Sequence, residues 1–271
     1  MISSQWITDE QDVRLAPYRG VRDRTLRGES LFLAEGDLVV ERLLESRFPV
    51  ESILISERAK GRVGPLLERK LPAGVPVYEV SAEKMPDVVG FPFHQGVMAA
   101  GRRERVWTLD DLRGRRSCSR NRVIVVLPDI TKPDNVGVVF RNAAALGADG
   151  VLLGERACDP LSRRGLRTSM GGVFQLPWVK TENLLRDLDF LIHAWGYVGC
   201  ATVLSPEAVD LREATWPERV LLCLGNEYDG LREEVISRCA CPITIPMAAG
   251  VDSLNLGVSS GIFLYEALRQ K

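Results

Sequence analysis

Polar side chains of this chain gather in three short segments that each follow an apolar, strand-like run. The first segment carries Asn135 and Arg141, the second carries Glu227, and the third carries Ser253 and Asn255. In the third, a β-branched strand ends at a proline, and a helix is predicted to open at Ser-Leu-Asn after a loop of small residues. A ligand at such a place meets the unpaired backbone donors of the first helical turn. Together the three segments point to an enzyme.

The surroundings of the first two segments fit a ligand site. Gly225 and Glu227 directly follow an apolar run, at the carboxyl end of a predicted parallel strand, where open α/β sheets bind ligands. An ordinary strand-to-helix turn would also explain them. Asp134 or Asn135 is expected to cap the helix that carries Arg141. A surface arginine on an amphipathic helix explains Arg141 about as well as a functional one.

Other kinds of site find little support. The chain has neither Gly-x-Gly-x-x-Gly nor the Gly-Lys-Ser/Thr of a phosphate loop, so a usual dinucleotide or nucleoside triphosphate site is not expected. Two histidines, His94 and His193, are too few for most metal or triad chemistry. Cys239 and Cys241 are the one close cysteine pair, without a second pair at zinc spacing. We therefore expect no metal site.

Composition narrows the class of protein further. The 35 basic and 36 acidic residues nearly cancel, which argues against a protein held to nucleic acid by charge alone, although a local basic face remains possible. No apolar run is long enough for a membrane span, and the first residues lack the pattern of a secretion signal. The six cysteines show no Cys-x-x-Cys, so reduced, mostly buried thiols are expected. These features fit a cytoplasmic protein.

Two α/β regions are predicted to position the three segments. Residues 1–29 are predicted to be an N-terminal leader. In residues 30–103 patterns typical of helices and of strands alternate, which predicts a helix over 35–44 and strands over 50–55, 75–80 and 96–100. Residues 104–121 are polar, contain five arginines, and are predicted to be a linker.

The second region, residues 122–271, opens with the apolar run Val123–Leu127, which suits a parallel strand buried on both faces. Further apolar runs alternate with helical segments at 150–153, 197–202, 220–224 and 243–245. This alternation predicts a parallel sheet covered by helices.

In this order, the three segments resemble the signature motifs of the SpoU (TrmH-like) RNA ribose 2′-O-methyltransferases of the SPOUT class. The matching stretches are Asn135-x-Gly with Arg141-Asn-Ala-Ala, Leu224-Gly-Asn-Glu-x-x-Gly-Leu, and Ile245-Pro-Met with Ser253-Leu-Asn. Residues 30–103 are similar to the amino-terminal substrate domain of that family, through Phe32-Leu-Ala-Glu-Gly and His94-Gln-Gly-Val. The resemblance thus covers nearly the whole chain.

The resemblance implies an α/β fold: a carboxyl-terminal parallel-sheet domain with a deep trefoil knot, preceded by a small ribosomal-protein-like RNA-binding domain. Knots are rare, so that expectation rests on the family alone. The family also implies S-adenosylmethionine as cofactor and a homodimer that brings both subunits to one site. The small residues Gly257, Ser260 and Gly261 would allow close helix approach at the dimer interface. The implied cofactor contacts are Leu224, Gly225, Ile245, Met247, Leu254 and Asn255.

The resemblance also assigns the reacting side chains. Arg141 would handle the ribose hydroxyl, while Asn135, Glu227, Ser253 and Asn255 place the nucleotide and the cofactor. Methyl transfer to a hydroxyl needs in-line alignment and loss of the hydroxyl proton. Because a guanidinium stays protonated at biological pH, we expect Arg141 to clamp a phosphate and the developing alkoxide. Water or an RNA phosphate would then take the proton.

Several alternatives stay open for the substrate. Ribosomal RNA is favoured because of the amino-terminal extension and the stretch 167–177, which is similar to the ribosomal-RNA branch of the family. A transfer-RNA enzyme, a drug-resistance methyltransferase and a non-catalytic dimeric RNA-binding protein of the same fold are the alternatives. Tyr228 stands where many relatives carry glycine, and it would either narrow the pocket or offer a stacking surface for a base. Candidate RNA contacts are Arg113, Arg115, Arg116, Arg163, Arg164 and Arg167.

Overall fold

A computed structural model of the chain describes residues 3–20, 30–104, 107–113, 122–249 and 253–269. The chain forms two compact units, Met1–Val106 with Leu161–Gln175, and Trp107–Pro160 with Leu176–Lys271. Much of the predicted linker, part of the predicted leader, Arg115, Arg116 and the cofactor-loop residues 250–252 lie outside the described residues. No helix in the described ranges is long and apolar enough to cross a membrane.

Twelve strands and eight α-helices follow one another along the described residues. The strands are β1 (Gln5–Trp6), β2 (Leu31–Glu35), β3 (Val50–Ser56), β4 (Val77–Val80), β5 (Val97–Arg102), β6 (Arg122–Leu127), β7 (Gly150–Leu153), β8 (Trp178–Lys180), β9 (Val198–Thr202), β10 (Val209–Asp210), β11 (Arg219–Cys223) and β12 (Cys241–Thr244). The helices are α1 (Asp37–Leu44), α2 (Glu57–Lys70), α3 (Met85–Val89), α4 (Pro133–Leu146), α5 (Arg163–Thr168), α6 (Leu184–Trp195), α7 (Glu233–Ile236) and α8 (Leu256–Arg269).

The first unit is built on a five-stranded sheet in the order β1-β4-β3-β5-β2. β5 runs antiparallel to β2 and β3, whereas β1, β4 and β3 are parallel. The leader takes part in this unit, because β1 pairs with β4 and the side chains of Ile7, Leu15 and Tyr18 are buried in the core. The Tyr18 hydroxyl is 2.7 Å from Ser52 Oγ, so this buried polar group is satisfied.

The segment Leu161–Gln175 belongs to the first unit, although the domain boundaries predicted from the sequence place it in the second. Phe174 lies 5.7 Å, ring centre to ring centre, from both Phe32 and Phe48. Arg163 forms an ion pair with Glu35, and its Nη2 donates to Glu35 Oε2 at 3.3 Å. An aromatic cluster and a largely buried ion pair therefore hold this segment in the unit.

These contacts bear on the candidate RNA-binding arginines. Arg163 is engaged by Glu35, and the Arg113 guanidinium lies 4.1 Å from the ring centre of Trp195 in the second unit. Both guanidinium groups therefore have partners within the chain, although the Arg113 side chain is still 58% exposed. Arg164 and Arg167 are exposed on α5 and stay candidates.

The second unit is a seven-stranded sheet in the order β10-β12-β9-β11-β6-β7-β8. Every pairing in it is parallel, which confirms the predicted parallel sheet. Residues Val123–Leu127 of β6 are fully buried, as expected for a strand covered on both faces. Strands β8 and β10 are only three and two residues long, too short to show a hydrophobic pattern in the sequence.

Helix α8 packs closely on α4 through small residues. A Cβ on Gly257 would lie 2.6 Å from Val138 Cγ1, so a larger residue would force the helices apart. Asn142 Nδ2 donates to the Gly257 carbonyl at 2.7 Å and to Ser260 Oγ at 3.0 Å, and Ser260 is fully buried. The prediction that Gly257 and Ser260 lie at a dimer interface was wrong, because both are used within the chain.

A buried carboxylate lies at the start of β7. Asp149 is 2 % exposed, and its Oδ2 accepts the Val123 N–H at 2.8 Å, while its Oδ1 is buried without a partner in the described part of the chain. Burial raises the pKa of Asp149 from 3.8 to about 6, because the charged form loses its hydration. The folded state therefore binds the proton more tightly than the unfolded state. The contribution of this residue to stability falls as pH rises from about 4 to about 6, by about 3 kcal/mol, and stays low above that range.

We expect Asp149→Asn to be more stable than the wild type by about 2 to 3 kcal/mol at pH 8, because the amide keeps an acceptor for Val123 without a buried charge. The difference should shrink towards zero below pH 4, where Asp149 is neutral in both states. Urea denaturation between pH 4 and pH 8 measures it. Asp87→Asn, at an exposed position of α3, is the control and should show no such trend. A difference independent of pH would contradict the assignment.

Candidate active site

A cavity of about 390 Å³ opens at the carboxyl ends of β9, β11 and β12 in the second unit. Its walls come from the residues that follow these three strands and from the beginning of α8. This is the edge of a parallel sheet at which ligands bind. Six residues predicted for the site line this cavity: Gly225, Glu227, Ile245, Met247, Ser253 and Leu254.

The segment after β11 folds into a closed turn. A Cβ on Gly225 would lie 2.4 Å from the carbonyl carbon of Gly230, so only glycine lets the two backbones approach. Asn226 and Gly230 exchange two backbone hydrogen bonds of 3.1 Å. The Asn226 side-chain oxygen accepts the N–H groups of Tyr228 and Asp229 at 2.9 and 2.8 Å. Backbone bonds and an Asn side chain thus fix the shape of this wall.

Leu224 was predicted as a cofactor contact but lies beneath that wall. It is 1 % exposed and does not line the cavity. Its backbone N–H donates to the Val126 carbonyl at 3.0 Å, which continues the pairing of β11 with β6. Leu224 therefore anchors the turn to the sheet.

A charged cluster stands at one side of the cavity. Lys132 Nζ donates to Glu227 Oε2 at 2.9 Å, and Asn135, which is 9 % exposed, also hydrogen-bonds to Glu227. Partial burial opposes ionisation of Glu227, but these hydrogen bonds outweigh it and hold the pKa of the carboxyl below its ordinary value. Glu227 is thus a carboxylate at neutral pH and only accepts hydrogen bonds. The hydrogen bond to Glu227 raises the pKa of Lys132, which stays cationic.

Helix α4 begins earlier than the sequence predicted. Its first residue is Pro133, a residue favoured at that position, and Lys132 precedes it. The prediction that Asp134 or Asn135 caps this helix was wrong, and Asn135 instead lies in the first turn, where it reaches Glu227. Lys132 was not among the residues predicted for the site. Its position in the loop that follows the buried strand β6 was the available signal.

The structure does not bring Arg141 to the cavity of its own chain. Arg141 lies on α4, is exposed, and makes no hydrogen bond or ion pair with the other described residues. The next residue, Asn142, points at α8. The Arg141 side chain is therefore on the exposed surface of α4.

The third segment differs from its predicted geometry. Helix α8 begins at Leu256, and Asn255 Oδ1 accepts the Gly257 N–H at 2.8 Å, while the Asn255 carbonyl accepts the N–H groups of Val258 and Ser259. Asn255 therefore caps the helix, and the expectations that α8 opens at Ser253 and that Asn255 lies inside the first turn were wrong. Asn255 does not line the cavity. Its structural role is to hold the turn that presents Ser253 and Leu254.

The cavity suits the cofactor that the motifs imply. Its volume falls within the range of small-molecule sites, about 300 to 1,000 Å³. Ile245, Met247 and Leu254 offer apolar walls to an adenine, and the closed turn brings backbone groups and the Glu227 carboxylate to the same space. The residues present therefore fit S-adenosylmethionine. Within the described ranges, no group of three or more His, Cys, Asp or Glu side chains is placed to hold a metal ion.

Comparison with known proteins connects this geometry to a family. Residues 122–265 match the model of the SpoU rRNA Methylase family, and residues 33–107 match the model of RNA 2′-O ribose methyltransferase substrate binding. A protein of Mycobacterium bovis named as an uncharacterized tRNA/rRNA methyltransferase is 33% identical over 98% of this chain and 92% of its own length. A 23S rRNA (guanosine-2′-O-)-methyltransferase of Acinetobacter baylyi is 30% identical over 86% of this chain and 94% of its own.

A solved structure agrees with these matches. The AdoMet-bound rRNA methyltransferase from Sinorhizobium meliloti aligns with a TM-score of 0.78 and 26% identity, and the alignment covers 98% of both chains. The predicted family and the predicted pair of α/β domains, one with a parallel sheet and one of the substrate-binding type, are confirmed. On the strength of both family models and of a relative similar along almost its whole length, this chain belongs to the SpoU rRNA methylase family.

Proposed function

We propose that this protein transfers a methyl group from S-adenosylmethionine to a ribose 2′-hydroxyl of ribosomal RNA. The cavity at the carboxyl ends of β9, β11 and β12 carries the proposal, because residues of the second and third motifs meet there. A substrate-binding domain over residues 33–107 supports RNA as the substrate. The Acinetobacter baylyi relative, named for 23S rRNA, favours ribosomal RNA, and the Mycobacterium bovis relative, named for both RNA classes, keeps transfer RNA as the alternative.

S-adenosylmethionine is the expected cofactor, and the AdoMet-bound relative from Sinorhizobium meliloti supports it. When bound, it supplies an electrophilic methyl group on a sulfonium. In the proposal Ile245, Met247 and Leu254 enclose its apolar part, and the turn that Gly225 allows presents backbone groups to its polar part. Ser253 lies at the same wall and adds a hydroxyl.

The protein side chains would position the ribose and stabilise charge. Glu227 is held by Lys132 and Asn135, and therefore acts as a fixed acceptor for a hydroxyl rather than as the proton acceptor of the reaction. Arg141 would clamp a phosphate and the alkoxide that develops as the ribose hydroxyl loses its proton. That oxygen would bond to the methyl carbon as the methyl–sulfur bond breaks and the neutral thioether leaves. The hydroxyl proton would leave to water or to an RNA phosphate, because a guanidinium is a poor base.

The proposal includes a homodimer. Arg141 does not line the cavity of its own chain, so a second copy would bring guanidinium and cavity together. Helix α8 also carries an exposed apolar stripe, formed by Val258, Ile262 and Tyr265, which are 53%, 37% and 55% exposed. Residues at this spacing share one helix face. A second copy seated on that stripe would bury it.

We expect wild-type protein to sediment at twice the mass of the 30.1 kDa chain. Ile262→Glu should raise the dissociation constant of the dimer at least about tenfold, because it buries a charge in the interface. Phe190→Glu is the matched control, since Phe190 is 46% exposed on α6, away from the stripe, and this variant should stay dimeric. Analytical ultracentrifugation distinguishes these outcomes. A monomeric wild type would contradict the dimer.

We further propose that the carboxyl-terminal part of the chain is threaded into a trefoil knot and that the protein acts in the cytoplasm. Family membership supports the knot, as does the return of the last helix, α8, against α4 near the middle of the sheet. An experimental structure in which residues 225–269 pass outside every preceding loop would contradict it. A cytoplasmic location follows from a ribosomal RNA substrate, and cell fractionation tests it.

Methyl transfer from radiolabelled S-adenosylmethionine into total cellular RNA tests the function. Ribosomal and transfer RNA would be separated afterwards, and the labelled nucleotide would be mapped by its resistance to alkaline hydrolysis. We expect label in ribosomal RNA, at a 2′-O-methylated ribose. Label in transfer RNA alone would show that transfer RNA, and not ribosomal RNA, is the substrate. No label in either, with no cofactor binding by calorimetry, would favour the non-catalytic RNA-binding alternative.

A further inference from the structure

An exposed aromatic ring stands at the rim of the cavity on a fixed support. Tyr228 is 80% exposed, yet it lines the cavity and belongs to the closed turn 225–230. Its backbone N–H is held by Asn226 Oδ1 at 2.9 Å, and the ends of the turn are joined by the hydrogen bonds between Asn226 and Gly230. The ring contributes little to the core, while the backbone beneath it is well held. This combination fits a contact surface for a ligand.

A cation lies beside that ring. Lys132 Nζ is 4.7 Å from the ring centre of Tyr228, within the range of a cation–π contact. The same ammonium is hydrogen-bonded to Glu227 at 2.9 Å, and Glu227 is hydrogen-bonded to Asn135. Ring, cation and carboxylate therefore come from two loops, after β6 and after β11, that meet at one edge of the cavity.

We propose that Tyr228 and Lys132 form a platform for the nucleotide to be methylated, with the base stacked on Tyr228 and its phosphate near Lys132. This inference rests on the proposed function and adds the state of the substrate: the target nucleotide is unpaired. Single-stranded RNA is read by stacking on aromatic rings together with cations that contact phosphates. Such a contact tolerates different bases, because every base has a face that stacks.

The position of Tyr228 favours a contact of its ring with the nucleotide over a contact with the cofactor. The apolar residues that suit an adenine, Ile245, Met247 and Leu254, line the cavity, whereas the Tyr228 side chain is mostly exposed to solvent at its rim. A ribose whose hydroxyl reaches into the cavity must keep its own base nearby, at the rim. An exposed ring at that place meets the base of the reacting nucleotide.

Steady-state kinetics on a ribosomal RNA fragment that contains the nucleotide mapped with wild type tests the platform. Tyr228→Ala should raise KM for this fragment by about 5- to 100-fold, the effect of losing one aromatic–base stack, with the Kd for S-adenosylmethionine unchanged by calorimetry. Tyr228→Phe keeps the ring and should stay within about twofold of wild type. Lys132→Gln should also raise KM and lower the salt dependence of RNA binding by about one unit of slope.

A fragment with an abasic site at the mapped nucleotide separates stacking from other effects. Wild type should bind this abasic fragment more weakly than the intact fragment. Tyr228→Ala, which has already lost the stacking contact, should bind the two fragments almost equally. Additive losses, an unchanged KM in Tyr228→Ala, or a weakened cofactor in that variant would each overturn the platform. If wild type methylates no RNA, the proposed function itself is overturned. A negative KM comparison between wild type and Tyr228→Ala overturns only the platform and leaves the proposed function intact.

Discussion

Replacement of Arg141 by alanine is expected to lower kcat by about 100- to 1,000-fold while the affinity for S-adenosylmethionine stays unchanged, because the guanidinium stabilises charge that develops only in the transition state. Arg141 does not touch the cavity of its own chain, so its loss leaves the cofactor walls in place. Single-turnover rates on ribosomal RNA and calorimetry with the cofactor measure the two quantities. Arg141→Lys keeps the charge without the planar fork and should recover part of the rate. Loss of cofactor binding in Arg141→Ala would contradict this role.

A mixing experiment tells which subunit supplies Arg141. Arg141→Ala has an intact cavity, and Gly225→Ala has an intact Arg141. The assay uses a cofactor concentration well below the Kd of Gly225→Ala, at which both variants are severely impaired. If the arginine acts on the partner's cavity, a mixed dimer of the two contains one complete site, and random mixing should restore about a quarter of the wild-type activity. If the arginine acts on its own cavity, no mixed dimer contains a complete site and mixing restores nothing. We expect recovery, because Arg141 is exposed and lies away from the cavity of its own chain.

Gly225→Ala is expected to weaken S-adenosylmethionine binding at least about tenfold, equivalent to 1.4 kcal/mol, and to lower Tm by about 4 to 8 °C. The added Cβ would lie 2.4 Å from the Gly230 carbonyl carbon and 2.7 Å from the Leu231 nitrogen. Both neighbours are backbone atoms, so no side chain can move aside. The turn must therefore open, and the wall of the cavity must move with it.

The same substitution elsewhere provides the control. Gly61 lies inside α2 and has no atom within 4 Å of the position of an added Cβ. Gly61→Ala should therefore raise the free energy of unfolding by about 0.5 to 1 kcal/mol. Thermal denaturation and cofactor titration of the two variants give opposite signs for stability. Cofactor binding by Gly225→Ala equal to wild type would show that the turn can shift without cost to the site.

Features set by local pattern were predictable from the sequence. The apolar run of β6 predicted a doubly covered parallel strand, and the ordered motifs predicted the family. Several cavity residues, such as Ile245 and Met247, also follow from the motifs. Each of these signals is formed by residues that lie within about ten positions of one another, which explains why the sequence alone carries it.

Features set by contacts between distant segments were not predictable. Lys132 is a site candidate because it meets Glu227, 95 positions later. Leu224 is buried because it continues the pairing of β11 with β6. The exposed position of Arg141 depends on which face of α4 packs against α8. Each outcome follows from tertiary packing, for which the local sequence contains no signal.

The assignment of Leu161–Gln175 to the first unit has a consequence for the order in which a growing chain can complete its folding. When residue 106 has been synthesised, Phe32 and Phe48 still lack Phe174, and Glu35 lacks Arg163. Strands β6 and β7 are made before those partners emerge from the ribosome. The amino-terminal unit can therefore complete its folding only after part of the second unit has been synthesised. A fragment that ends at residue 106 would expose the aromatic cluster that Phe174 otherwise fills.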